Sequence, residues 1–120
     1  MTVTSLSAIT LSVTNMARSV DFYRSTIGLN LLYGGTTDSF TSFQIGSGFL
    51  NLISNLNTEI HWWGRVILHV DQVDEVYNKI MVSGWPIEDS PRDAPWGERY
   101  FHVTDPDGHE LSFATPTLKP

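Results

Sequence analysis

The sequence predicts an α+β fold: a single domain of 120 residues built from two tandem βαβββ modules. Three observations predict it. Strand-like and helix-like hydrophobic patterns follow one another in the same order in each half, the halves keep register with each other, and a turn-rich hairpin closes the chain. Leu11-Ser12-Val13 answers to Leu68-His69-Val70 at an offset of 57 residues, and Gly28 to Gly84 at an offset of 56. The modules run over about residues 6–54 and 65–115, joined by a linker at about 55–64.

Ala8 to Val13 alternates, with Ile9, Leu11 and Val13 on one side, which is the signature of a half-buried strand. Asn15 then suits a helix N-cap. Met16, Val20, Tyr23 and Ile27 recur at helical spacing with Phe22 beside them, and Gly28 is placed to end the helix in the left-handed conformation. Strand patterns follow at Leu29–Tyr33, Ser39–Ile45 and Phe49–Ile53, separated by Gly34-Gly35 and by Gly46-Ser47-Gly48 as turns. In the second half, Val73, Val76, Tyr77 and Ile80 form a helical face, with Asp71 or Asp74 as its cap. Pro86-Ile87-Glu88 reads as a short edge strand, where proline is tolerated. Arg99–Thr104, the turn Asp105-Pro106-Asp107-Gly108 and His109–Ala114 complete the hairpin.

Composition narrows the function. With 41% hydrophobic and 17% charged residues, the chain has the balance of an ordinary globular domain. Cysteine is absent, which excludes disulfides, thiolate ligands and a cysteine nucleophile. Only 7 Lys and Arg stand against 13 Asp and Glu, a net charge of −6, so a phosphate backbone is a poor partner and a neutral or cationic small molecule a better one. The first eleven residues lack a basic start and an apolar run, and no later segment reaches the ~20 apolar residues of a membrane span. The expectation is a cytoplasmic protein with neither nucleic acid nor membrane as partner.

The run from Trp96 through Asp105-Pro106-Asp107-Gly108-His109-Glu110-Leu111 resembles the final hairpin of the glyoxalase/bleomycin resistance protein/dioxygenase (vicinal oxygen chelate) superfamily. Ser19-Val20-Asp21-Phe22-Tyr23 with Ile27-Gly28-Leu29 is similar to its first helix, so the resemblance covers about Ala8 to Phe113. It implies a half-open, barrel-like groove between sheets, frequently a homodimer, and in many members a divalent metal held by His, Glu or Gln from four strand positions. Carried onto this chain, those positions fall on Ala8, Asn51, Arg65 and Ser112. Ala8 has no donor atom, Arg65 is a permanent cation, Ser112 is a poor ligand and Asn51 offers one weak oxygen. The expected metal content is therefore none, and no other cofactor is implied.

The strand alternation places Thr10, Ser12, Asn51, Arg65, His69, Tyr100, His102, Glu110 and Ser112 on the groove side. His69 and His102 admit an atypical metal or acid–base reading, or a hydrogen-bonding role in a polar pocket. Arg65 either compensates an anionic ligand group or pairs structurally with Glu110 or Glu98. Trp62 and Trp63 in the linker, Trp85 after the second helix and Trp96 before the last hairpin either pack, line a dimer interface or stack on a planar ligand. His109, Asp105 and Asp107 are read as turn stabilisers, and His61 as a surface residue. The expected ligand contacts are Trp62, Trp63, Arg65, His69, Trp96, Tyr100, His102, Glu110, Ser112 and Asn51. Together with Pro95-Trp96-Gly97, which resembles the bleomycin-resistance branch, they suggest a metal-independent binding protein that sequesters a planar or cationic natural product. The rival expectation is a glyoxalase- or dioxygenase-like enzyme.

Overall fold

A computed structural model of the protein describes residues Met1 to Thr117. The chain forms two compact units that meet in sequence between Glu59 and Ile60. The first contains β1 (Ala8–Val13), α1 (Met16–Asp21), a π-helical turn (Phe22–Ile27), β2 (Asn30–Tyr33), β3 (Phe40–Ile45) and β4 (Gly48–Ser54). The second contains β5 (Arg65–His69), α2 (Val73–Val82), β6 (Arg92–Ala94), β7 (Glu98–Thr104) and β8 (Glu110–Pro116). Each unit carries a four-stranded mixed sheet of the same topology, β1-β4-β3-β2 and β5-β8-β7-β6, in which the first and last strands of the unit run parallel. The α+β fold and its repeated βαβββ order are those expected from the sequence.

In the first unit Asn15 caps α1 as expected, its side-chain oxygen accepting from the Arg18 amide at 3.1 Å. The helix does not continue regularly to Ile27. It widens into a π-turn, where the amides of Gly28 and Leu29 both donate to the Tyr23 carbonyl, at 3.1 and 2.9 Å. The adjacent rings of Phe22 and Tyr23 are both buried and meet edge to face with centroids 5.0 Å apart. Gly28 ends the turn at φ 95°, a conformation that costs a side chain on Cβ. Leu11, Val13, Val20, Phe43, Leu50 and Leu52 complete this core. Burying each large aliphatic contributes roughly 2 kcal/mol.

The turn between β2 and β3 falls at Thr36-Thr37, just past the expected Gly34-Gly35, and is closed by the Asp38 amide on the Gly35 carbonyl at 3.2 Å; the two glycines lead into it and are latched by a buried threonine. Thr41 Oγ1 accepts from the Gly35 amide at 3.1 Å and donates to the Gly35 carbonyl at 3.2 Å. Gly34 sits at φ 80°, and a Cβ there would stand 2.2 Å from the Phe40 carbonyl oxygen.

The second unit corrects two expectations. Pro86-Ile87-Glu88 is not a strand; the edge strand is Arg92–Ala94, paired with β7 through Arg92↔Tyr100 and Ala94↔Glu98. The reason is the tight turn Pro95-Trp96-Gly97, closed by the Gly97 amide on the Ala94 carbonyl at 3.1 Å, which folds residues 92–94 directly onto β7. Neither Asp71 nor Asp74 caps α2. Gln72 occupies the cap position without a side-chain bond, and the Val73 amide donates instead to Thr115 Oγ1 at 3.0 Å, a partner from β8 that no local motif announces. Asp74 lies in the first turn and pairs with Arg99 at 3.2 Å.

α2 covers one face of its sheet: Tyr77 meets Phe101 edge to face at 5.4 Å, with Val66, Ile80, Val103, Leu111 and Phe113 buried around them. Among the described residues no helix is long and apolar enough to cross a membrane. Replacing Gly34 with Ala should destabilise the protein by about 3 kcal/mol, from the left-handed φ and the clash together; urea unfolding midpoints measure this, and an unchanged midpoint would refute the turn assignment.

Candidate functional site

The alternation that buries Phe101, Val103, Leu111 and Phe113 under α2 sends their neighbours to the distal face of the same sheet. The register sets Arg65 opposite Glu110, Ile67 opposite Ser112 and His69 opposite Ala114, while Tyr100 and His102 lie opposite Ala114 and Ser112. Ser112 and Ala114 are buried there as a small floor. Of the ligand contacts expected from the sequence, Arg65, His69, Tyr100, His102, Glu110 and Ser112 therefore share one face of one sheet.

Aromatic rings make the next layer. Trp96, in the β6–β7 turn, stacks on Tyr100 with centroids 5.7 Å apart and planes 30° apart, and Tyr100 meets His102 at 5.2 Å. The indole of Trp96 is 63% exposed. Charged groups hold this row. The Arg92 guanidinium lies 4.6 Å over Tyr100 and its Nε donates to the phenol oxygen at 3.0 Å. Glu98 accepts from Trp96 Nε1 through one oxygen and meets His69 Nε2 through the other, both at 2.9 Å. Those two bonds hold the Glu98 carboxyl below the usual carboxylate range, the indole bond being the stronger cause.

At one edge, Arg65 pairs with Glu110 at 3.3 Å and lies 5.0 Å over the Trp62 ring. Its ion pair is the structural alternative foreseen for this residue. Trp63 is half exposed, but its indole donates to His109 Nδ1 at 3.0 Å. His109 is buried, its amide donating to Asp105 Oδ1 at 2.8 Å, and the same oxygen accepts from the amides of Asp107 and Gly108. Asp105 thus closes its own turn, as expected. Trp85 is half-buried and donates to the Thr104 carbonyl at 2.8 Å.

Beside His102 lies a cavity of about 190 Å³, walled by Glu88 and Asp89 from the loop after α2, by Thr104 and by Glu110. His102 is held neutral below its ordinary range, first by burial and then by the Arg65 and Arg92 charges, against the opposing pull of Asp89 and Glu110. Among the described residues three buried side-chain polar atoms have no hydrogen-bond partner, and two of them, His102 Nδ1 and Arg65 Nε, are on this face.

Asn51 belongs to the first unit. On the face of that sheet away from α1 it accepts from Ser42 Oγ at 2.6 Å and donates to Thr10 Oγ1 at 3.3 Å. Glu98 as an anchor and Arg92 were missed as site residues. Glu98 was legible, two residues from Tyr100 and four from His102 on one strand; Arg92 was hidden by the misplaced edge strand.

Residues 5–113 match the Glyoxalase/Bleomycin resistance protein/Dioxygenase superfamily. The chain belongs to this superfamily. It is 27% identical over 127 residues to the metallothiol transferase FosB of Lysinibacillus sphaericus (strain C3-41), covering 99% of this chain and 87% of that protein. It is 25% identical to TnmS3, an antibiotic binding protein from Streptomyces sp. CB03234, at a TM-score of 0.80 over 97% of this chain and 98% of that one. The crystal structure of TioX from Micromonospora sp. ML1 is also similar, at 26% identity and a TM-score of 0.76, over 96% and 100% of the two chains.

The metal found in many members of the superfamily does not fit the residues present here. Arg65 brings a positive charge already engaged by Glu110, Ser112 is buried, Asn51 spends both ends of its amide within its own sheet, and Ala8 has no donor. Among the described residues no group of three His, Cys, Asp or Glu side chains is arranged to hold a metal ion.

The neutral state of His102 has a pH signature. Because folding lowers its pKa, the unfolded chain binds this proton first, so stability is retained above the ordinary imidazole pKa of about 6.5 and falls as pH drops toward the folded value. Urea unfolding of wild type against His102→Gln should therefore show wild-type stability declining more steeply below about pH 6.5; parallel pH profiles would contradict a neutral, site-held imidazole.

Proposed function

We propose that the protein is a metal-independent small-molecule-binding protein of the bleomycin-resistance type, which sequesters a planar or cationic natural product. One observation carries the reading: the Trp96–Tyr100–His102 row, with its exposed indole, stands on the distal sheet face that also holds Arg65 and Ser112, two of the residues that the family resemblance sets at metal positions. Flat rings stack on such a row without any bond being broken. The two unpartnered buried atoms on that face, His102 Nδ1 and Arg65 Nε, are polar groups that a ligand would relieve. The similarity to TnmS3, described as an antibiotic binding protein, supports the same reading. Sequestration then acts by mass action in the cytoplasm, without a cofactor, nucleic acid or membrane, and a homodimer would present two copies of the face.

Trp62, Trp96, Tyr100 and His102 are assigned to direct ligand contact. Arg65, His69, Glu110 and Ser112 orient or floor the site, and Trp63 stabilises the final hairpin. Titration of the intrinsic tryptophan fluorescence with bleomycin-like and mitomycin-like compounds should give saturable quenching. Replacing Trp96 with Ala should weaken binding about tenfold, the value of one stacking contact. Absence of saturation with these and other planar natural products would remove the main support.

A second reading has its own observation: the His69–Glu98 pair at 2.9 Å, with Tyr100 between Arg92 and Trp96, has the elements of an acid–base centre. On it the protein is a glyoxalase- or dioxygenase-like enzyme with an atypical site. Elemental analysis of protein purified without chelator separates the two. Below a tenth of an equivalent of zinc, nickel, manganese or iron, roughly, is expected; a stoichiometric metal would favour the enzyme.

A further inference from the structure

Among the described residues the carboxylate of Glu98 bonds two side chains of this face and pairs with no Lys or Arg. One oxygen takes the indole N–H of Trp96, the other the imidazole of His69 on β5, each at 2.9 Å. An indole that is 63% exposed would otherwise turn freely about its side-chain torsions; with its only donor held, it keeps the ring near parallel to Tyr100. The same bond has a chemical consequence. Trp96 has no donor left for a ligand and can be read only through its π face, and an anionic acceptor on the N–H makes that face richer in electrons. Tryptophan is already the strongest of the aromatic side chains in attracting a cation. Tyr100 and Trp62 each have an arginine over the ring, whereas among the described residues Trp96 has none.

We propose that Glu98 is a positioning and specificity residue of this face: it fixes Trp96 as a bare, electron-rich stacking surface that selects a planar aromatic cation, of the N-alkylated heteroaromatic class, over its neutral counterpart. The inference rests on the ligand-binding reading above and narrows its ligand class. Glu98 itself need not touch the ligand.

The test uses N-methylquinolinium chloride and neutral quinoline at pH 7.5, followed by calorimetry and by the Trp96 indole N–H signal in ¹⁵N–¹H NMR. Wild type should bind the cation about five- to tenfold more tightly. In Glu98→Gln, whose amide oxygen still accepts the indole N–H, the Trp96 signal should stay near its wild-type position while the preference falls within about twofold. In Glu98→Ala the signal should move to that of a solvent-exposed indole, with both probes weakened. In Trp96→Leu the preference should vanish; if it persists there, the cation is drawn by the Glu98 charge alone and the proposal is wrong. Equal binding of the two probes to wild type, or an undiminished preference in Glu98→Gln, also overturns it. If neither probe perturbs Trp96 in wild type, this inference fails while saturable quenching by larger natural products would still uphold the binding reading.

Discussion

The pairing register of β7 with β8 governs everything built on the second sheet. Phe101 opposite Phe113 and Val103 opposite Leu111 bury four apolar side chains beneath α2. A slip by one residue would turn two of them, the pair on the slipped strand, to the other face and at roughly 2 kcal/mol each would forfeit about 4 kcal/mol, a large share of the stability of a whole domain. The same constraint sets the distal face. Because side chains alternate, Glu98, Tyr100, His102 and Thr104 fall in line on one side as a consequence of burying Phe101 and Val103 on the other. Hydrophobic burial thereby arranges a polar and aromatic row that no attraction among its own members would be strong enough to assemble.

Once in line, the row is tuned by charge. The pairs Arg65–Glu110, His69–Glu98 and the Arg92–Tyr100 contact are partly exposed, and such pairs individually contribute little to stability, about 0–1 kcal/mol. Their consequence lies in orientation. Each ring of the row has a fixed neighbour, and burial, reinforced by the charges of the two arginines, holds the His102 pKa below its ordinary range. The Arg65–Glu110 pair leaves at that edge a guanidinium already engaged by a carboxylate, an arrangement suited to hydrogen bonding and unsuited to coordinating a cation.

The two units share topology but not surface chemistry. In the first, the face away from α1 carries the hydrogen-bonded set Thr10, Asn51 and Ser42, with Phe40 beside Tyr33 at 6.3 Å. In the second, tryptophan, tyrosine and histidine predominate. A repeated backbone has thus been given two different distal faces, since the helix-covered face must stay apolar in both while the other is free to diverge.

The sequence by itself determined the α+β class, the repeated βαβββ order, the Asn15 cap, the Gly28 stop, the Asp105 turn and the side of each strand that holds Arg65, Tyr100, His102 and Ser112. All are local or periodic properties, written in alternation, capping residues and turn chemistry. Tertiary structure decided what depends on distant partners. Thr115 rather than an aspartate receives the first amide of α2, the edge strand lies at Arg92–Ala94, the first helix widens to bury Phe22 and Tyr23 together, and Glu98 binds Trp96 and His69 at once. Such contacts join residues up to 42 positions apart, and only the packing of strands and helices brings them within bonding distance.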